Sequence, residues 1–224
     1  GSGNIDVDPM FVDTANGNYN LLASSQLINA GHPDSLDSDG TVADIGAYPY
    51  LNSYSGPTWY ITEAGNDTTA TGASGDPFRS IQSGINFSSD DDSVTAAAGT
   101  YVENINFRGR NIKVVGEDRE TTIIDGNQNG SVVTMRSGED STAVLSGFTI
   151  TNGSGNINSD GLYWGGGIYL SNSSPLIKEC IISSNICTNG SAIYGRYAHG
   201  IINNCIIENN TGASEDGPQI LYIR

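Results

Sequence analysis

An all-β solenoid of short parallel strands is what this sequence predicts. Gly numbers 29 of 224 residues and only 15% of residues are charged, yet Ile, Val, Leu and aromatic residues recur in clusters of three to five separated by Gly, Asn and Ser turns. That is the composition of a turn-rich β protein with enough chain for a real core, and it is not that of a disordered one. More specific is a repeat. "GGIYLSNSSPLIKECIISSN" begins at Gly166, and the same frame returns 25 residues later. The alignment places Ile168 over Ile193, Ile177 over Ile202, Cys180 over Cys205, Ile182 over Ile207 and Asn185 over Asn210. A fixed period in the twenties with β-type clusters is a solenoid signature, because no single unit can bury its apolar face and stacked units can. Equivalent side chains then form internal ladders, Ile on Ile and Cys on Cys.

The elements follow in order. The stretch from Thr58, "TWYITEAGNDTTATGASGDPFRSIQSGI", resembles the opening strand, Gly/Asp-rich loop and amphipathic N-cap helix of a parallel β-helix, which implies a helix near 77–86 with Phe78, Ile81 and Ile85 as its buried stripe. "VTAAAGTYVENI", "NIKVVG", "TTIIDG", "SVVTM" and "AVLSGFTITNG" continue the rhythm more loosely. Phe148, Thr149 and Ile150 match Cys180, Ile181 and Ile182 at a spacing of 32, with the surplus in the loop "GSGNINSDGLYWG". Insertions in solenoids map to loops on one face, often a binding face, so Tyr163 and Trp164 are expected there as exposed glycan contacts. Tyr194 and Tyr197 are further stacking candidates, although rim packing explains them too.

These stretches resemble the right-handed parallel β-helix of the pectin-lyase-like superfamily, as found in repeat proteins of secreted bacterial surfaces. The resemblance covers residues 58–224 and implies the fold; it does not imply one activity, since that fold carries lyases, hydrolases, adhesins and modules without chemistry. Residues 4–50 resemble the segment that closes such a helix at its C-terminal end: a D-P-x-F-V-D stretch, "LLASSQLINAG", then D-x-D-G-T-x-x-D-I-G-A-Y. Here the closing segment precedes the solenoid, while "ILYIR" ends the chain as a coil strand. The organisation expected is a closing segment at 1–50, a connector at 51–57 and a β-helix at 58–224. A fragment of a tandem array, a circular permutant, or copies that cap one another would each explain the order.

Function follows as an expectation: a non-catalytic, extracellular structural module that stacks head to tail with other copies of itself. Its contact would involve Ile5, Val7, Met10, Phe11 and Val12 at one end and Ile220, Leu221, Tyr222 and Ile223 at the other, as strand addition would have it. The alternative is a polysaccharide-binding or lyase- or glycosidase-type enzyme fragment. The 25 acidic against 9 basic residues give a net charge of −16, which argues against nucleic acid and anionic membranes as partners. No apolar run approaches the ~20 residues of a membrane helix.

Candidate chemistry is sparse. Asp34, Asp37, Asp39 and Asp44 surround a D-x-D-G core suited to a hard cation such as calcium, or equally to a turn held by Asx hydrogen bonds. Asp90, Asp91 and Asp92 read as a solvated acidic loop. Cys180 and Cys205 fall on successive rungs at a separation that a disulfide would tolerate, although a buried ladder of free thiols is the favoured reading; Cys187 has no partner. His32 and His199 sit alone in loops. The superfamily's polygalacturonase motifs are absent, and Asp118, Arg119, Asp125 and Asp160 are the residues a pectate-lyase-like calcium site would have to use. No catalytic residue is assigned.

Overall fold

The computed structural model of the chain describes residues 7–157, 161–212 and 220–223, the last three as backbone. An N-terminal segment forms the antiparallel pair β1 (Phe11–Asp13) and β2 (Asn18–Leu21), followed by turns. β3 (Thr58–Ile61) opens the solenoid, and α1 (Ile81–Phe87) lies across its first end. Five coils follow. The first is β4 (Ser93–Ala96), β5 (Gly99–Val102) and β6 (Ile105–Asn106); the second is β7 (Lys113–Gly116), β8 (Thr122–Asp125) and β9 (Val133–Met135). The third holds β10 (Val144–Ser146) and β11 (Thr149–Thr151), a side hairpin of β12 (Asn156–Ile157) and β13 (Tyr163–Trp164), and β14 (Ile168–Ser171). The fourth is β15 (Leu176–Lys178), β16 (Ile181–Ser183) and β17 (Ile193–Arg196), and the fifth is β18 (Ile201–Asn203), β19 (Ile206–Glu208) and β20 (Ile220–Ile223).

Each coil contributes one strand to each of three parallel sheets, ordered β18-β15-β10-β7-β4-β3, β19-β16-β11-β8-β5 and β20-β17-β14-β9-β6. This is a right-handed parallel β-helix, the hand that parallel crossovers of L-residues favour. Register turns the sequence repeat into ladders. Trp59, Val94, Val114, Leu145, Ile177 and Ile202 stack in the first sheet. In the second, Tyr101, Ile124, Ile150, Ile182 and Ile207 face inward, and in the third Ile105, Val133, Ile168, Ile193 and Ile220 do so. The core is continuous from Leu21 and Ile28 through Phe78 to Ile193.

The corners need a left-handed backbone. Gly147, Glu179 and Asn204 occupy one corner in three successive coils with φ of 76°, 54° and 51°. Asn152, Ser184 and Asn209 occupy a second, and Asn172 and Tyr197 a third. Asn is favoured because its short amide tolerates the αL region, so the Asn-rich composition is corner chemistry.

Inside the second corner a buried amide ladder ties coil to coil. Asn185 Nδ2 donates to Ile150 O at 3.0 Å, and its Oδ1 accepts from Gly153 N at 2.8 Å. Asn210 repeats this one coil on, donating to Ile182 O at 2.8 Å and accepting from Asn185 N at 3.1 Å.

The helix begins at Ile81, four residues later than the sequence suggested. Phe78 is still extended, its N–H donating to Tyr60 O and its backbone bridged to Ile61. All three residues of the expected stripe, Phe78, Ile81 and Ile85, are fully buried.

Candidate assembly interface

The two ends of the solenoid differ. At the first end the N-terminal segment seals the stack through α1. Asn86 Nδ2 donates to Ala23 O and Ser25 O at 2.9 and 2.8 Å, Arg108 reaches Ile28 O at 2.9 Å, and Tyr50 Oη donates to Ala70 O at 2.7 Å. Tyr50 also packs on Phe87, with ring centroids 5.4 Å apart. The closing-type segment therefore covers its own chain at the first coil, the opposite end from that implied by the resemblance.

Two carboxylates organise this end. Asp67 accepts from Arg79 N, Ser80 N and the hydroxyls of Ser80 and Ser83. Glu103, on the turn after β5, accepts from Ile81 N and Gln82 N at 2.8 and 3.0 Å, so the unpaired N–H groups of the helix start are satisfied from outside. Burial pushes the Glu103 carboxyl up to about 7, against the two N–H donors, which pull it down. Met10 and Gln26 on one side and Glu63, Arg79 and Asn127 on the other help to line a cleft of about 520 Å³ beside this pair. Asp67, Glu103 and Asn86 escaped the sequence reading because their roles depend on contacts far along the chain.

At the last coil the ladders lose cover among the described residues. Ile177 and Ile182 are fully buried, but Ile202 and Ile207 above them are only partly so; Ile193 is fully buried, whereas Ile220 is 38% exposed. Among the described residues, nothing pairs with the outer edges of β18, β19 or β20. The amide ladder is open as well: no described group accepts from Asn210 N.

The residues singled out for the other half of the contact are placed as follows. Phe11 belongs to β1, whose one edge pairs with β2; Phe11 and Val7 are partly buried against the core, and Phe11 meets Tyr19 edge-on at 5.5 Å. Met10 is 36% exposed and Val12 lines a shallow hollow with Leu51. Ile5 lies outside the described residues. Leu221, Tyr222 and Ile223 pair with Tyr194, Gly195 and Arg196.

The acidic loop is bound up in its own backbone. Asp39 accepts from Thr41 N and Asn52 N, Asp37 from Asp44 N, and Asp44 from Asn29 N and Tyr50 N. Asp34 is exposed beside His32, with 3.8 Å between them. Burial, with Asp37 and Asp39 nearby, raises the Asp44 carboxyl. Among the described residues no group of three or more His, Cys, Asp or Glu is placed to hold a metal ion.

Asp90 and Asp91 are exposed, as a solvated acidic loop would have them, but Asp92 departs from that expectation. Asp92 is buried and accepts from Trp59 Nε1 and Ser89 N, both at 2.9 Å, because the buried indole on β3 needs a partner there.

Trp164 also departs from expectation. Tyr163 is 45% exposed, but Trp164 is half-buried and packs against Tyr194 at 4.6 Å, its buried Nε1 without a partner among the described residues. Tyr194 stacks on Tyr169 at 5.4 Å, as in-register neighbours on β17 and β14 do. Tyr197 and His199 are exposed, with Arg196 over the Tyr197 ring. Asp118 caps its own turn at Glu120 N, and Asp125 accepts from Asn127 N and Asn152 Nδ2. Arg119 donates to Asn204 O at 3.2 Å, and Asp160 lies outside the described residues. Asp118, Arg119 and Asp125 do not line the clefts described above.

Cys180 and Cys205 stack on successive coils, both free, with Phe148 in the equivalent place below. Cys187 is buried elsewhere, its thiol 3.4 Å from Asn189 O.

The stacked coils define a parallel β-helix repeat protein, its first coil covered by the N-terminal segment and its last coil uncovered among the described residues. Among solved structures, the chain is similar to a pectin methylesterase mutant in complex with a hexasaccharide, with TM-score 0.46 and 14% identity over 70% of this chain. It is also similar to a second pectin methylesterase complex, with TM-score 0.44 and 12% identity over 70% of this chain. The matched regions cover 50% and 56% of those chains, so this chain spans about half their length. No protein-family profile and no curated protein sequence matches it.

Proposed function

We propose that this chain is a non-catalytic structural β-helix module, extracellular in setting, that stacks head to tail, the N-terminal segment of one copy covering the open last coil of the next. The observation that supports the reading is the asymmetry of the ends: ladders fully buried at Ile177, Ile182 and Ile193 lose cover at Ile202, Ile207 and Ile220. The N-terminal segment carries a second apolar set, with Tyr19, Leu36, Tyr48 and Leu51 all about half or more exposed. A contact between two different surfaces of identical chains propagates unless its rotation closes it. Sedimentation velocity over a dilution series, with negative-stain microscopy, tests this. Unbranched rods that shorten on dilution are expected, and Ile207→Lys, which puts a charge on the uncovered ladder, should leave monomers. Monomers of the unaltered chain at every concentration would overturn the proposal.

A second reading, a polysaccharide-binding surface, is favoured by Tyr163, 45% exposed, next to the half-buried Trp164. Affinity electrophoresis in gels containing neutral or uronic-acid polysaccharides decides it. Retardation weakened by Tyr163→Ala supports it, and unretarded migration in every gel rejects it.

A further inference from the structure

The thiol pair at the open end has a use that packing alone leaves out. We propose that Cys180 and Cys205 are a redox pair, converted by a low-molecular-weight disulfide from stacked dithiol to a disulfide that clamps the last coil onto the one before it. Register brings them together: Ile177 pairs with Ile202 on one side of the corner and Ile181 with Ile206 on the other. Adjacent parallel strands lie about 4.8 Å apart, inside the Cα separation that disulfides span. Cys205 Sγ reaches back to the coil that carries Cys180, 3.7 Å from Ile177 O. Both follow an αL corner residue, Glu179 or Asn204, and stand outside the strands, so the Cβ atoms can close on each other without breaking a strand pair.

The pair is also graded in access. Cys180 is fully buried and Cys205 is only partly so, because no coil lies above it among the described residues. The neighbouring Cys180 thiol lowers the Cys205 thiol, and the Arg119 charge, held nearby by the bond to Asn204 O, acts in the same direction. The Cys180 thiol is raised by the adjacent Cys205 sulfur and by burial. Cys205 is thus the attacking sulfur and Cys180 the resolving one.

In the first step Cys205 thiolate attacks one sulfur of the small disulfide and expels one small thiolate. In the second, Cys180 gives up its proton to that thiolate and its sulfur attacks Cys205 Sγ, expelling the other. Two protein thiols are oxidised by two electrons, and one small disulfide is reduced to two thiols. The reaction needs the end face free, and does not depend on what later covers it.

Oxidised glutathione added to the dilute protein at neutral pH tests the proposal by intact mass and by digestion after Lys and Arg, with Cys187→Ser as background to remove the third thiol. The expected product has lost two hydrogen masses and links the peptide of Cys180 to that of Cys205. Amide exchange in β18 and β19 should slow by roughly tenfold, since the clamp restrains opening of the last coil. A Cys180→Ser variant should stop at a glutathionyl adduct on Cys205. A glutathionyl adduct as the end product of the Cys180-containing protein, a disulfide between two chains, or no reaction at Cys205 would each overturn the proposal.

Discussion

Corner residues carry much of the information in this chain. Glu179 holds φ of 54° where the equivalent positions use Gly147 and Asn204, and its carboxylate gains only a surface ion pair with Lys178 at 3.6 Å. A long side chain in the αL region is strained, while an exposed ion pair is worth little. Glu179→Asn should therefore raise stability by about 1 kcal/mol, read as a shift in the urea midpoint with an unchanged slope. A lower midpoint would show that the corner strain is relieved elsewhere. The buried amides act in the opposite sense. Asn185→Ala strands Gly153 N and Ile150 O, and should cost about 3 kcal/mol, at 1–3 kcal/mol for each unsatisfied buried group. Asn210→Ala, at the open coil, should cost less; equal losses at the two sites would contradict the idea that the ladder is open there.

Among the elements, α1 is the joint between the N-terminal segment and the coils. It has seven residues, all buried, and no side-chain cap of its own, so its start is held by Glu103 and Asp67 from other parts of the chain. Asp67, Glu63 and Arg79 are the other charged groups beside Glu103. Because burial raises the folded-state pKa of Glu103 above 4.5, its contribution to stability is fully present below about 4.5 and is lost as pH rises through about 7. Glu103→Gln keeps an acceptor and removes the titration. The stability of the variant relative to the parent should rise between pH 5 and pH 8, measured by urea unfolding at each pH. Parallel curves would assign the pH dependence to another group. The strands divide by position in the stack. Ile177→Ala should cost about 2–5 kcal/mol, the range for deleting a fully buried aliphatic side chain, and Ile202→Ala clearly less in the isolated chain. A larger loss at Ile202 under associating conditions would place the partner over that ladder.

At the scale of the whole molecule, function turns on which surfaces remain uncovered. The interior is continuous from the N-terminal segment to the fourth coil, and among the described residues no helix is long and apolar enough to cross a membrane. A net charge of −16 is carried by a stack with apolar groups exposed at its last coil and on its N-terminal segment. If copies stack there, added salt should screen their mutual repulsion and lengthen the rods. Scattering that decreases with added salt would instead mark a contact driven by opposite charges. Cys205 offers a direct probe: maleimide labelling should slow as assemblies grow, because the thiol lies on the coil to be covered.

What the sequence determined by itself was the periodic part. A spacing of 25 residues with Ile over Ile and Cys over Cys is legible because in-register parallel strands put equivalent side chains in the same environment, so the repeat is written directly into the chain. Only the tertiary structure decided where the non-periodic parts belong. The N-terminal segment meets α1 through Ala23, Ser25, Asn29 and Tyr50, Asp92 turns inward to meet Trp59, and Trp164 folds onto Tyr194. Each of these depends on one partner far away in sequence, and a contact made once leaves no period to read.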